Sequence, residues 1–403
     1  MTVGLLAVLL ICALGLAQPV QAAEFTCASG DVACLINAIN QANANGEANR
    51  ITLRRGTYTL TAIDNDANGL PVITSLLIIR GQGAETTIIE RDTAAPRFSI
   101  LSVAAAGTLT LERLTLRNGS AFLVGGAVSN SGTLSLIDCI LTGNRAQVGG
   151  GLSNGGAGTV SITHTTFDGN GAVFFGGGLV NMDGTVTIAN STFVRNGAEG
   201  GGGILNGFLS QRSSMATVTL TNTTVAQNGG NGQGGAGIAN FAGVAVLQST
   251  TVAENQEISG AGTGGISNSD SGTVLLQNTI IARNETRFGP SDCSGLVTSL
   301  GNNLIGDPTR CTITLQTSDL TGDPGLDTFT DNGRPGNGHF PLLSTSQAID
   351  AGNDDVCFRR DQLGRRRVGP CDIGAIRFLD GTDRKHKEQD DRRNQDDIAE
   401  VSR

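Results

Sequence analysis

Hydrophobic and polar positions alternate in short bursts along most of this chain. Pairs such as Val160/Ile162 and Val186/Ile188 have the two-residue period of a β-strand, and each burst lasts only three to five residues before a Gly or Asn interrupts it. One unit reads Gly176-Gly177-Gly178-Leu179-Val180-Asn181, then Gly184-Thr185-Val186-Thr187-Ile188-Ala189-Asn190-Ser191-Thr192-Phe193-Val194-Arg195-Asn196. Three short strands per unit, separated by Asn or Gly corners, make one turn of a coil. Stacked coils place like residues above like at about 4.8 Å. The inward Val, Ile, Leu and Phe columns then form one continuous core. The pattern predicts an all-β chain: a right-handed parallel β-helix, a single-stranded solenoid of about nine to eleven coils.

The asparagines carry the period. A first column holds Asn118, Asn144, Asn170, Asn196, Asn228, Asn255 and Asn284, the first three steps being 26 residues each. A second follows the Gly-Gly pairs: Asn130, Asn154, Asn181, Asn206, Asn240 and Asn268. A third lies six residues before the first: Glu112, Asp138, His164, Asn190, Asn222, Ser249 and Asn278. Of the 17 Asn between 118 and 284, 16 fall in these columns, and only Asn231 does not. Asn amides hydrogen-bond up and down a stack. Asn, Asp and His also tolerate the left-handed backbone that a sharp corner needs.

The flanks read differently. Residues 1–22 form a signal peptide: an apolar run from Leu5 to Leu16, too short to span a bilayer, then Val20-Gln21-Ala22 with small residues where cleavage after Ala22 requires them. Residues 23–49 form an N-terminal cap. Its helix is capped by Ser29 or Asp31, buries Leu35, Ala38, Ile39 and Ala42, ends at Gly46, and covers the open edge of the first coil. Coils fill 50–292. Residues 293–379 lose the repeat and read as last coils plus a C-terminal cap. Residues 380–403, with 14 charged residues in 24, read as a disordered tail.

Composition narrows the function. Gly is 58 of 403 residues while Pro is 9 and Trp absent, which suits tight turns and disfavours an aromatic-lined pocket. The net charge of −9, with Lys only at 385 and 387, argues against a nucleic-acid partner. No segment has the length and apolarity of a transmembrane helix. Six cysteines fall in local pairs, Cys27/Cys34, Cys293/Cys311 and Cys357/Cys371, which in an exported chain read as disulfides. Cys139 is left as a buried thiol.

Two stretches resemble known sequence signatures. Cys34-Leu35-Ile36-Asn37-Ala38-Ile39 through Asn43, with Ile51-Thr52-Leu53 and Gly56-Thr57-Tyr58-Thr59-Leu60, resembles the N-terminal signature of CSLREA-type bacterial β-helix proteins, with Ile36-Asn37 where the family name implies Arg-Glu. Residues 301–378 resemble the choice-of-anchor Q domain, through Gly301–Asp307, Asp323–Leu326, Ala348–Gly352, Asp361–Gly364 and Cys371–Ala375. The resemblance implies an exported, pectin-lyase-like β-helix and supplies no catalytic residue.

Catalysis is still weighed residue by residue. Glycoside hydrolysis needs two carboxylates about 5–10 Å apart, and Glu112 and Asp138 in one column, with His164 next, are the candidate set; a corner ladder explains the same residues without a substrate. Asp64-Asn65-Asp66-Ala67-Asn68-Gly69 resembles half a calcium loop, so Asp64, Asp66 and Asn68 are the metal candidates, but the twelfth position is Ser75 rather than Glu and a solvated turn is the simpler reading. No other cofactor is expected. Arg359, Arg360, Arg365, Arg366 and Arg367 either meet an anionic glycan or lipid, or pair locally with Asp354, Asp355, Asp361 and Asp372. Phe122, Phe174, Phe175, Phe208 and Phe241 beside the Gly-Gly corners either stack on sugars or fill corners. Insertions at 207–217, 228–235 and 256–263 are candidate contact loops. The expected protein is a monomeric, secreted or surface-associated, non-catalytic β-helix, adhesin-like or binding extracellular glycan or a cell surface. The alternatives are a lyase, hydrolase or epimerase on an acidic polysaccharide, and a structural spacer.

Overall fold

The computed structural model describes residues 23–207, 216–232, 234–269 and 271–380. Residues 1–22, where the sequence predicts a signal peptide, Phe208 and residues 381–403 lie outside them. The chain forms a β-solenoid of about 10 turns whose coils pair in parallel. One coil shows the plan. Thr185–Ala189 lies on a first face, Thr192–Val194 on a second, Gly197–Ala198 on a third and Ile204–Asn206 on a fourth. The first face runs from Glu24–Cys27 to Cys311–Thr314, and the second from Gly56–Leu60 to Leu320–Thr321.

Register is kept coil after coil, so identical side-chain types stack. Leu134, Val160, Val186 and Val218 form one inward column, and Leu136, Ile162, Ile188 and Leu220 the next. On the second face Leu141, Phe167, Phe193 and Val225 stack likewise, with the Phe167 and Phe193 rings stacked 4.4 Å apart and nearly parallel. All of these are fully or almost fully buried. The helix α1 (Val32–Asn45) closes the N-terminal edge as the sequence predicts. Asp31 caps it, Leu35, Ala38, Ile39 and Ala42 are its buried face, and Gly46 ends it in left-handed backbone. The three local cysteine pairs are disulfides and Cys139 is buried. Burial pushes the Cys139 thiol up to about 12, which leaves it unreactive.

Two asparagine ladders run through the corners. In the first, each side-chain amide donates to the next coil's side-chain oxygen at 2.8–2.9 Å: Asn144 to Asn170, then Asn196, Asn228, Asn255 and Asn284. In the second, Asn130, Asn154, Asn181, Asn206, Asn240 and Asn268 do the same at 2.7–2.9 Å. The left-handed corner column holds Asp138, His164, Asn190, Asn222, Ser249 and Asn278.

Both the first and third columns begin one residue away from the sequence assignment. The coil from Arg117 to Thr142 is 25 residues long, one fewer than the next, from Thr142 to Asp168. Asn118 therefore takes the left-handed corner that Gly143 holds in the next coil, and Gly119 takes the ladder position, its N–H donating to Asn144 Oδ1 at 2.9 Å. In the corner column Arg113, not Glu112, precedes Asp138. Glu112 pairs in register with Ile137, and its carboxylate meets Arg80 at 3.4 Å.

The first ladder ends on a carboxylate. Asp292 Oδ1 accepts both the backbone and the side-chain N–H of Asn284, and Oδ2 accepts the Asp307 N–H at 2.7 Å. Asn could not end the ladder this way, because its Nδ2 would face a donor. Burial raises the Asp292 pKa to about 6, against these hydrogen bonds, which lower it. A raised carboxyl pKa means that the folded state holds a proton between about pH 4 and 6 that the unfolded chain has released. Asp292 therefore favours folding most below pH 4, and that contribution is lost as pH rises through 6. Relative to wild type, the stability of Asp292→Asn should rise by about 2–3 kcal/mol between pH 4 and 6.5. Urea midpoints across that range would show it; a pH-independent difference would rule it out.

Residues 293–321 continue the coils. The segment 322–380 does not close their end, as a terminal cap would; it turns back and runs along the outside of the second face. Gly374 N–H meets Asn278 O, Ala375 N–H meets Thr251 Oγ1, Arg360 O accepts from Asn222, and Gly336 N–H reaches Thr166 Oγ1. Leu326, Phe340, Leu342, Ala348 and Ile373 of this strap pack on Ala226, Ala253, Ile280, Ala282 and Leu304. The sequence carried a sign of it. On the outward side of Thr224–Ala226, Thr251–Ala253 and Ile280–Ala282 stand only Thr, Ala and Ile, with no charged residue, as suits a strand covered on both sides.

Candidate functional site

The third face follows each ladder Asn. Its outward positions, Arg145, Gly171, Gly197, Gly229, Gln256 and Glu285, stack in register. Period-two alternation does not mark this face, because its glycines leave no side-chain pattern in the sequence. Gly197 has an ordinary negative φ, and a Cβ built on it finds no atom within 4 Å. Neither backbone strain nor crowding excludes a larger residue, so the bare backbone is the surface presented there.

Two adjoining concavities of about 650 and 560 Å³ share Ala172, Val173 and Gly197 and make one groove along this face. Its N-terminal half is basic. Arg145 reaches across Gly171, its Nη1 3.5 Å from where a Cβ would stand, and its guanidinium has no partner among the described residues. Arg97 donates to Ala121 O and lies 4.8 Å over the Phe122 ring. Arg195 also lines the groove, held by Asp168 through two hydrogen bonds of 2.9 and 2.8 Å, which raise its pKa and offset its charge. The C-terminal half holds Glu199, Glu254 and Ile258, with Glu254 accepting from Gln227.

An apolar rim follows the same edge. Phe122 is 59 % exposed, Val173 and Phe174 continue the line, and Phe288 is 71 % exposed with the Arg287 guanidinium 4.5 Å above its ring. Phe175 and Phe241, by contrast, pack edge-to-face at 6.3 Å against Val180, Leu205 and Ala239. The corner phenylalanines thus divide into exposed and structural sets. The loop at 256–263 is fixed by the buried Glu257, whose carboxylate accepts the N–H groups of Ser259 and Gly260 as well as the Ser259 hydroxyl.

His164 Nδ1 lies 3.9 Å from Asp138 Oδ1, both side chains about half exposed. With Glu112 out of that column and engaged with Arg80, Arg113 is the third member, and no carboxylate pair forms there. Asp64 and Asp66 are exposed, and Asn65 binds Asp64, Asn68 and Leu70, closing the turn on itself. Among the described residues no three His, Cys, Asp or Glu side chains gather as a metal site would require. The arginine run does not pair with its neighbouring aspartates. Asp361 caps the N–H groups of Leu363 and Arg365, Asp372 accepts from Asp350 and Phe378, and Arg367 donates to the carbonyls of Asp372 and Gly374. Backbone amides in the strap's turns compete successfully for those carboxylates.

No protein-family model matches this chain, and no curated protein is significantly similar to it.

Proposed function

We propose that this protein is an extracellular, non-catalytic β-helix of the CSLREA and choice-of-anchor Q type, and that its third-face groove binds an acidic polysaccharide. The observation that carries the reading is Arg145, a guanidinium without a protein partner laid over an open glycine floor. It is flanked by Arg97 and by the exposed Phe122 and Phe174. Guanidinium forks suit carboxylates, and exposed rings suit the apolar faces of sugars. The coil rise of about 4.8 Å is comparable to one sugar unit of an extended chain, so a glycan lying along the axis meets a repeating floor. Three disulfides fit an oxidising compartment. Among the described residues no helix is long and apolar enough to cross a membrane.

The test is retention of the mature chain on polygalacturonate and alginate, with dextran as the neutral control. Binding should weaken as salt rises. Arg145→Ala should lower affinity about tenfold or more, the value of one or two charge-assisted hydrogen bonds. Equal retention of wild type and variant, or preference for dextran, would remove the groove from consideration. Release of unsaturated or reducing ends would replace binding by catalysis.

A further inference from the structure

A second concavity, of about 380 Å³, lies across the 258–263 loop from the groove, against the fourth face. After Ser129 and Ser153, the outward column on that face reads Val180, Leu205, Ala239, Ser267, Ser294. Val180, Leu205 and Ala239 are covered by Phe175 and Phe241. Where that apolar cover ends, the column returns to serine. Ser267 is only 6 % exposed, and its hydroxyl has no protein partner. The Ser269 hydroxyl is buried and likewise lacks a partner among the described residues. A buried hydroxyl without a partner is destabilising, and alanine already occupies the same column one coil earlier.

The remaining wall combines Phe241, Ala261, Gly234 and Gly262 with two further hydroxyls. Thr263 and Ser294 share a hydrogen bond of 2.5 Å between their hydroxyls. Arg310 stands at the mouth, exposed, one Nη1 donating to Ser291 at 3.1 Å and its other donors uncommitted. Among the described residues no carboxylate lines the cavity. Hydroxyl donors in a recess, one guanidinium at the opening and no competing negative charge are what a tetrahedral oxyanion requires.

We propose that this cavity binds one sulfate or phosphate group, with Ser267 and Ser269 donating to it and Arg310 balancing its charge. It does not depend on the third-face groove, since the two share no residue. The probes are inorganic sulfate and phosphate, titrated calorimetrically into the mature chain at constant ionic strength against chloride. Both should bind the wild type. Ser267→Ala and Arg310→Ala should each weaken that binding at least about fivefold, and Arg145→Ala should leave it unchanged. Without anion, Ser267→Ala should melt at or above the wild-type temperature, because it removes an unsatisfied hydroxyl. Sulfated against unsulfated chondroitin then separates the sources. Retention of the sulfated form alone assigns the group to a glycan ester, and binding of the inorganic ions alone assigns it to a free anion. A lower melting temperature for Ser267→Ala in chloride would make the hydroxyl structural and overturn the proposal. Equal anion affinity in wild type and both variants would overturn it too, leaving an adventitious ion only.

Discussion

Asn196→Ala is expected to destabilise the solenoid by about 4–6 kcal/mol. The side chain is fully buried. Its oxygen accepts the backbone and side-chain N–H groups of Asn170 at 3.0 and 2.9 Å, and its amide donates to Phe167 O and Asn228 Oδ1, both at 2.9 Å. Alanine would leave four polar groups short of a partner in a place water does not reach. Because a solenoid is held by contacts between neighbouring coils, the damage should centre on the coils that stack there. A lowered urea midpoint is expected, with hydrogen exchange rising first in residues 166–230. Asn231→Ala supplies the contrast. That residue is exposed and outside every ladder, and its loss should stay within about 0.5 kcal/mol. Equal effects at the two positions would refute the ladder as a source of stability.

Gln362→Leu should release the strap from the second face. Gln362 is 1 % exposed. Its amide nitrogen donates to Gly336 O, Gly338 O and Thr192 Oγ1 at 2.7, 2.8 and 3.1 Å, and its oxygen accepts from Thr224 Oγ1 at 2.6 Å. Together with Thr192, whose hydroxyl donates to Gly338 O, it ties both arms of the strap to the coils beneath. Leucine keeps the volume and removes every bond, at about 3–5 kcal/mol of docking free energy. Limited proteolysis should then cut within 322–380 at least tenfold faster, while the coils survive as one fragment. The uncovered Ala226, Ala253, Ile280 and Leu304 face should also promote self-association, visible by light scattering. An unchanged digestion pattern would mean that the apolar contacts hold the strap without Gln362.

The tie between Gly336 and the coils also bears on the corner column. Gly336, in left-handed backbone, packs so closely on His164 and Asn190 that a Cβ would stand 2.4 Å from Asn190 O and 2.9 Å from His164 Cα. The strap thus ends over the corner where the sequence placed its catalytic candidates. Asp138 and His164 sit at the edge of a covered surface, whereas the third-face groove is open along its length.

What the sequence determined by itself was everything that repeats. Period-two alternation, recurrence every 26 residues and the confinement of Asn to three columns follow from local backbone preference and the stacking of identical coils. They therefore survive reading one residue at a time. The capping helix and the disulfides were legible for the same reason: their partners lie close in the chain. The tertiary structure decided three other things. It moved Glu112 and Asn118 out of their columns, because that coil has 25 residues rather than 26 and only pairing with the next coil reveals it. It turned residues 322–380 from a terminal cap into a strap, because which surface a non-repeating segment covers depends on contacts with residues up to 170 positions away. And it made the third face, whose glycines give no side-chain pattern at all. There the backbone follows the coils on either side, and the arginines and phenylalanines around it gather only once the coils are stacked.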